Sequence, residues 1–135
     1  MSWRSFTEGY LQIPGAQSKT PITLNFTGAY SISVNGYYAI MGNTVSLYIP
    51  PFNGYASASD FLRVNLPPNL TPINSTTIIG SVVRAAPSTL NEASGLITIS
   101  NTGQIIVADD IANDPFIAGY FCGLYNGQTI TYNLN

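Results

Sequence analysis

The residues of this chain able to do chemistry are few, and their spacing decides what that chemistry could be. Asp109, Asp110 and Asp114 put three carboxylates within six residues, an oxygen-rich stretch of the kind that can hold calcium. Full coordination takes six to eight oxygens, and the alternating ligands, central glycine and closing glutamate of an EF-hand are missing, so a solvated acidic turn is expected instead. Glu8, Asp60 and Glu92 lie far apart in sequence. Two of the six acids would have to converge within about 10 Å in a groove to act as a glycosidase pair. Cys122, the single cysteine, sits in the apolar stretch FIAGYFCGLY. A buried thiol there behaves as a small hydrophobe, and with no histidine in the chain nothing draws off its proton. The thirteen serines come without a G-x-S-x-G elbow, so serine hydrolysis is excluded. No catalysis and no cofactor or metal is expected.

Binding chemistry is better supplied. Nine tyrosines, six phenylalanines and one tryptophan offer flat faces, and tyrosine adds a polar tip suited to sugars and protein interfaces. Tyr37, Tyr38, Tyr48 and Tyr55, with Asn53 among them, fall near strand ends and loops and are the candidate receptor or glycan contacts. The competing reading of each tyrosine is a strand residue partly covered by neighbours, or a subunit contact. Four Lys plus Arg against six Asp plus Glu leave too few cations for a phosphate-binding stripe, so nucleic acid is a poor partner. Membrane docking by basic residues fails for the same reason. Gly28, Gly36, Gly42, Gly103 and Gly127 lie between alternating segments and read as turn residues, not as a phosphate loop. N-x-S/T triplets at Asn25, Asn69 and Asn74 are frequent by chance in so Asn- and Thr-rich a chain.

Positioning these side chains falls to short strands. The 135 residues are about one domain's worth, 45% apolar but only 7% charged, against roughly a quarter charged in an average soluble domain. Ser, Thr and Asn, thirteen of each, supply the polarity, a composition that suits strands and turns. Residues 1–21 show no clean period and read as an arm or linker; residues 22–135 read as a single β-sandwich domain. Ile22, Leu24 and Phe26 alternate with polar residues, as do Tyr30, Ile32 and Val34. Asn35-Gly36 then reads as a type I′ hairpin turn into a return strand over 37–41. Gly42-Asn43 makes a second turn before the alternating Val45, Leu47 and Ile49, which Pro50-Pro51 ends. Residues 52–59 read as a loop, 60–66 as a strand, and the proline-rich 66–72 as a stiff crossing from one sheet to another. Residues 76–86, apolar on both parities, read as a central strand, followed by a loop over 87–94.

Asn101-Thr102-Gly103 turns a hairpin between 96–100 and 104–107. Residues 109–115 form an acidic connector, 116–125 a long aromatic strand, Asn126-Gly127 a turn, and 128–134 a closing strand. This amounts to an all-β, antiparallel sandwich or jelly-roll-like fold of about eight to ten short strands. One cysteine makes no internal disulfide. No apolar run nears the roughly 18 residues of a membrane span, and residues 1–10 lack the apolar stretch of a signal peptide, so neither membrane insertion nor export by this N-terminus is expected.

Several of these segments, in order, resemble the heads of viral and bacteriophage fibres. They are Gly42-Asn43-Thr44-Val45-Ser46-Leu47, the crossing Leu66-Pro67 with Leu70 and Pro72, the hairpin from Gly95-Leu96-Ile97-Thr98-Ile99 to Gly103-Gln104-Ile105-Ile106, and the ending Thr131-Tyr132. Together they span most of residues 37–132. The group's slightly charged strand before the crossing is represented here only by Asp60 and Arg63. The resemblance implies a trimeric sandwich on the virion surface, at the tip of a fibre, attaching to a host glycan or protein. No receptor-binding residue carries over by motif. Independently, a chain without histidine has few groups titrating between about pH 5 and 8, which suits an exterior particle protein. Closed three-fold symmetry would bury its surplus apolar and tyrosine surface. A homotrimer is therefore expected, with residues 82–86 or 116–124 nearest the axis. The alternative is a minor capsid or cement protein that touches only other virion proteins.

Overall fold

The computed structural model describes residues 19–30, 32–84 and 91–134; the arm expected over 1–21 lies outside them except for its last three residues. The described residues form ten strands: β1 (Thr20–Phe26), β2 (Ile32–Met41), β3 (Thr44–Ile49), β4 (Phe52–Tyr55), β5 (Leu62–Asn65), β6 (Thr76–Arg84), β7 (Asn91–Ile99), β8 (Gln104–Val107), β9 (Phe121–Leu124) and β10 (Gln128–Asn133). A 3-10 turn covers Pro68–Leu70. Four strands make one sheet, in the order β1-β2-β3-β10, and six make the other, β4-β9-β6-β7-β8-β5. Every pairing between them is antiparallel. The expected class, an antiparallel β-sandwich, is the one observed.

Period-two alternation explains the layers, since successive strand residues point to opposite faces. Val45, Leu47 and Ile49 of β3 are buried while Ser46 is exposed, and Ile130 and Tyr132 of β10 are buried while Thr129 and Thr131 are exposed. From the other sheet come Leu62, Val64, Val82, Ile97, Ile99, Ile105, Val107, Cys122 and Leu124 to complete one core. At roughly 25 cal/mol per Å² of apolar surface removed from water, this shared layer is the main stabilising term. In the six-stranded sheet the meander β6-β7-β8 is closed by β5 beside β8, a Greek-key arrangement.

Five expectations are corrected. Asn35-Gly36 is not a turn: both residues lie inside the continuous β2, where Asn35 pairs with Thr23 and Gly36 with Ile22. Gly36 is there because a Cβ would run into the Tyr48 carbonyl oxygen on β3. Residues 52–55, expected in a loop, form β4 against β9. Of the loop expected over 87–94, residues 91–94 belong to β7 instead, and 87–90 lie outside the described residues. Only Phe121–Leu124 of the expected strand 116–125 is strand, and Phe116 instead plugs the core from a loop at 1% exposure. Finally, the 66–72 crossing joins two strands of the same sheet, β5 and β6. On its way it anchors to the other sheet, where Pro72 bridges Leu134 and the Ile73 N–H donates to the Asn133 carbonyl at 2.9 Å.

Candidate functional site

The five candidate contact residues do not form one site. Tyr37 and Tyr48 are cross-strand partners on the outer face of the four-stranded sheet, and their rings stack with centroids 5.0 Å apart. The Lys19 ammonium lies 4.6 Å over the Tyr37 ring, a cation–π contact on an aromatic platform. Tyr48 also covers Gly127, where a Cβ would strike its hydroxyl. Tyr38 takes the opposite parity and packs against the core. On the other sheet, Tyr55 stacks on its β9 partner Phe121 at 4.6 Å. Asn53, two residues before it on the same outward parity, lines a cleft of about 160 Å³ with Pro51, Phe52, Val83, Leu124 and Tyr125.

A polar hollow that the sequence did not single out lies next to this cleft. It holds about 400 Å³ and is lined by Ile79, Gly80, Ser81, Glu92, Ala93, Ser94 and Gln128. Ser81 Oγ donates to Glu92 Oε2, and Asn126 Nδ2 donates to both that oxygen and Ser81 Oγ at 3.2 Å. Gln128 Nε2 donates to the Asn126 carbonyl at 3.4 Å. Backbone pairing causes the convergence: Ser81 faces Ser94 across β6 and β7, and the Tyr125 N–H donates to the Ser81 carbonyl at 2.9 Å. That last bond joins the hollow to the Asn53 cleft. The signal available in the sequence was slight: Gly80-Ser81 interrupts the apolar run of residues 78–83, and Ser94-Gly95 precedes Leu96-Ile97.

The remaining reactive groups have local partners. Asp60 Oδ1 accepts from the Phe61 N–H at 2.7 Å and from Arg63 at 3.2 Å. The Phe61 bond first, and the Arg63 bond second, hold its carboxyl below the usual carboxylate range. Asp110 Oδ1 accepts from the N–H groups of Ala112 and Asp114, and the Asp109 N–H donates to the Asp114 carbonyl, so the acidic connector is a hydrogen-bonded turn. Among the described residues no group of three His, Cys, Asp or Glu side chains is placed to hold a metal; Glu8 lies outside them. Cys122 is fully buried, and burial chiefly, with the Asp109 charge adding to it, pushes its thiol up to about 12. Near neutral pH it is therefore a thiol and not a thiolate.

Sheet order, the Greek key and the shared core define an all-β sandwich with its polar hollow and tyrosine platform on outward-facing strands. The same fold is found in the crystal structure of a reovirus attachment protein, sigma1, in complex with alpha-2,3-sialyllactose, at a TM-score of 0.58 and 11% identity, covering 97% of this chain and 74% of that one. At that identity the likeness is one of fold. No protein-family model and no curated protein matches the sequence.

Proposed function

We propose that this chain is the non-enzymatic head of a viral fibre, carried on the virion surface, which attaches the particle to a glycan or protein receptor on the host cell. The observation that carries this reading is a fold shared, over nearly the whole chain, with a viral attachment protein. Residues 22–135 are the head and residues 1–21 its arm. The head works as a homotrimer. Supporting this are the large apolar side chains left on its surface, among them Ile111 at 60% and Ile117 at 51% exposure, which a closed three-fold assembly would cover. Receptor contact falls to the Tyr37–Tyr48 platform and to Asn53 and Tyr55, which reach solvent on both sheets.

The test is attachment of the fluorescently labelled chain to candidate host cells. Saturable binding, competed by unlabelled chain and weakened severalfold by the double substitution Tyr37→Ala with Tyr48→Ala, is the expected result. A chain that binds no cell and no immobilised glycan, yet associates with virion proteins, overturns attachment in favour of a cement role. Sedimentation of a monomer at micromolar concentration overturns the trimer.

A further inference from the structure

Resting on the attachment reading and deepening it, we propose that the hollow of Ser81, Glu92, Asn126 and Gln128 binds a neutral hexose ring and rejects sialic acid. A sugar ring presents vicinal hydroxyls that both donate and accept, and an apolar face of C–H groups. The hollow offers a match to each. The Glu92 carboxylate accepts only, with up to four lone-pair sites on its two oxygens. Its Oε2 is engaged by Ser81 and Asn126, which fixes the carboxylate's orientation. Among the described residues no donor meets Oε1, so that oxygen is left for ligand hydroxyls. Asn126 spends its two N–H groups bracing Glu92 and Ser81, whereas Gln128 keeps one N–H and its amide oxygen beyond the bond to the Asn126 carbonyl, and the Ser81 oxygen can still accept. Ile79, on the lining and 67% exposed, offers an apolar surface for the C–H side of a ring. A volume of about 400 Å³ is near the lower end for small-molecule pockets, which suits one or two rings.

Charge selects within the sugars. The described lining contains one carboxylate and no Lys or Arg. A sialic acid entering it would bring a second carboxylate toward Glu92 with no Lys or Arg among those lining residues to offset it, which like-charge repulsion disfavours. Neutral hydroxyls meet no such barrier. This hollow and the sialyllactose bound by the reovirus protein therefore call for different chemistry.

The full chain is titrated with the methyl glycosides of galactose, glucose, mannose and N-acetylneuraminic acid, and binding is read by saturation-transfer NMR. At least one neutral glycoside is expected to bind in the millimolar range, and the N-acetylneuraminic acid glycoside to give no signal. Glu92→Gln and Asn126→Ala should each weaken the neutral glycoside about tenfold or more, as loss of a charge-assisted or well-placed hydrogen bond does. Ser94→Trp, on the exposed lining, should block binding by filling the hollow and serves where either variant fails to fold. Ser46→Ala, on the exposed face of the four-stranded sheet, should bind the glycoside as the parent chain does. No binding by any neutral glycoside, unchanged binding in the hollow variants, or preference for N-acetylneuraminic acid overturns the proposal. Loss of glycoside binding with cell attachment intact removes the site's role and leaves attachment standing. Glycoside binding by a chain that attaches to no cell does the reverse.

Discussion

The hydroxyl of Tyr132 donates to the carbonyl of Leu70 at 2.8 Å, in a setting where the ring is 4% exposed. One hydrogen bond thus ties β10 to the Pro68–Leu70 turn, whose Leu70 is itself fully buried. Tyr132→Phe keeps the ring and strands the carbonyl without its partner, so it should cost about 1–3 kcal/mol in urea unfolding. A variant as stable as the parent would show that the carbonyl finds another donor. Some residue roles are legible from neighbours alone. Cys122 reads as a small hydrophobe because everything beside it is apolar. Tyr37 and Tyr38, adjacent in one strand, have to face opposite ways, so strand geometry alone keeps them from sharing one contact surface. The meeting of Ser81, Glu92 and Asn126 is not legible. Those residues come from two strands and a turn, and only sheet order brings them together.

At the scale of the element, glycine separates what local sequence says from what packing demands. Asn-Gly is a strong hairpin signal because type I′ turns need positive φ. Gly36 is not among the glycines with positive φ, whereas Gly42, in the true β2–β3 turn, has φ 62° with nothing within 4 Å of a Cβ. Substitution should distinguish the two. Gly42→Ala should cost about 1 kcal/mol, the conformational penalty alone. Gly36→Ala, blocked by the Tyr48 carbonyl across the sheet, should cost more than about 2 kcal/mol, because strands must part to admit the methyl group. Equal melting temperatures for the two variants would contradict this account. β4 is hidden in the sequence for a related reason. Gly54 looks like a turn residue, yet it lies in a strand where a Cβ would sit 2.8 Å from Ile32 Cδ1, and a strand glycine often marks such a close approach. Segments whose alternation is uninterrupted, such as β3 and β10, are legible because the pattern and the packing agree.

Over the whole molecule, pH should matter little near neutrality and more at the extremes. The chain has no histidine. The Asp60 carboxyl is depressed in the fold, so its contribution is present above the ordinary value of 3.8 and fades as pH falls below that. Cys122 and Tyr132 shift the other way, from 9.0 and 10.0 up to about 12, each mainly by burial. The folded state holds these two protons more tightly than the unfolded one. Stability is therefore full below about pH 9 and falls toward pH 12, from about 9 upward through Cys122 and from about 10 upward through Tyr132, each by about 1.4 kcal/mol per pH unit. Unfolding midpoints in urea should be flat from about pH 5 to 8 and drop in alkali, and Cys122→Ala should delay the onset of that drop. The junction between β9 and β6 has a consequence of its own. Their ladder has the single rung Val82–Leu124, while β6 and β7 share nine from Thr76–Ile99 to Arg84–Asn91. β4 and β9 thus form a leaf hinged on the broad part of the sheet. Its amide hydrogens should exchange with deuterium well before those of β6 and β7, since sparsely tied units open first. Asn53 and Tyr55 ride on that leaf, so whatever they grasp would be held by the part of the sheet with the fewest backbone ties to its broad centre.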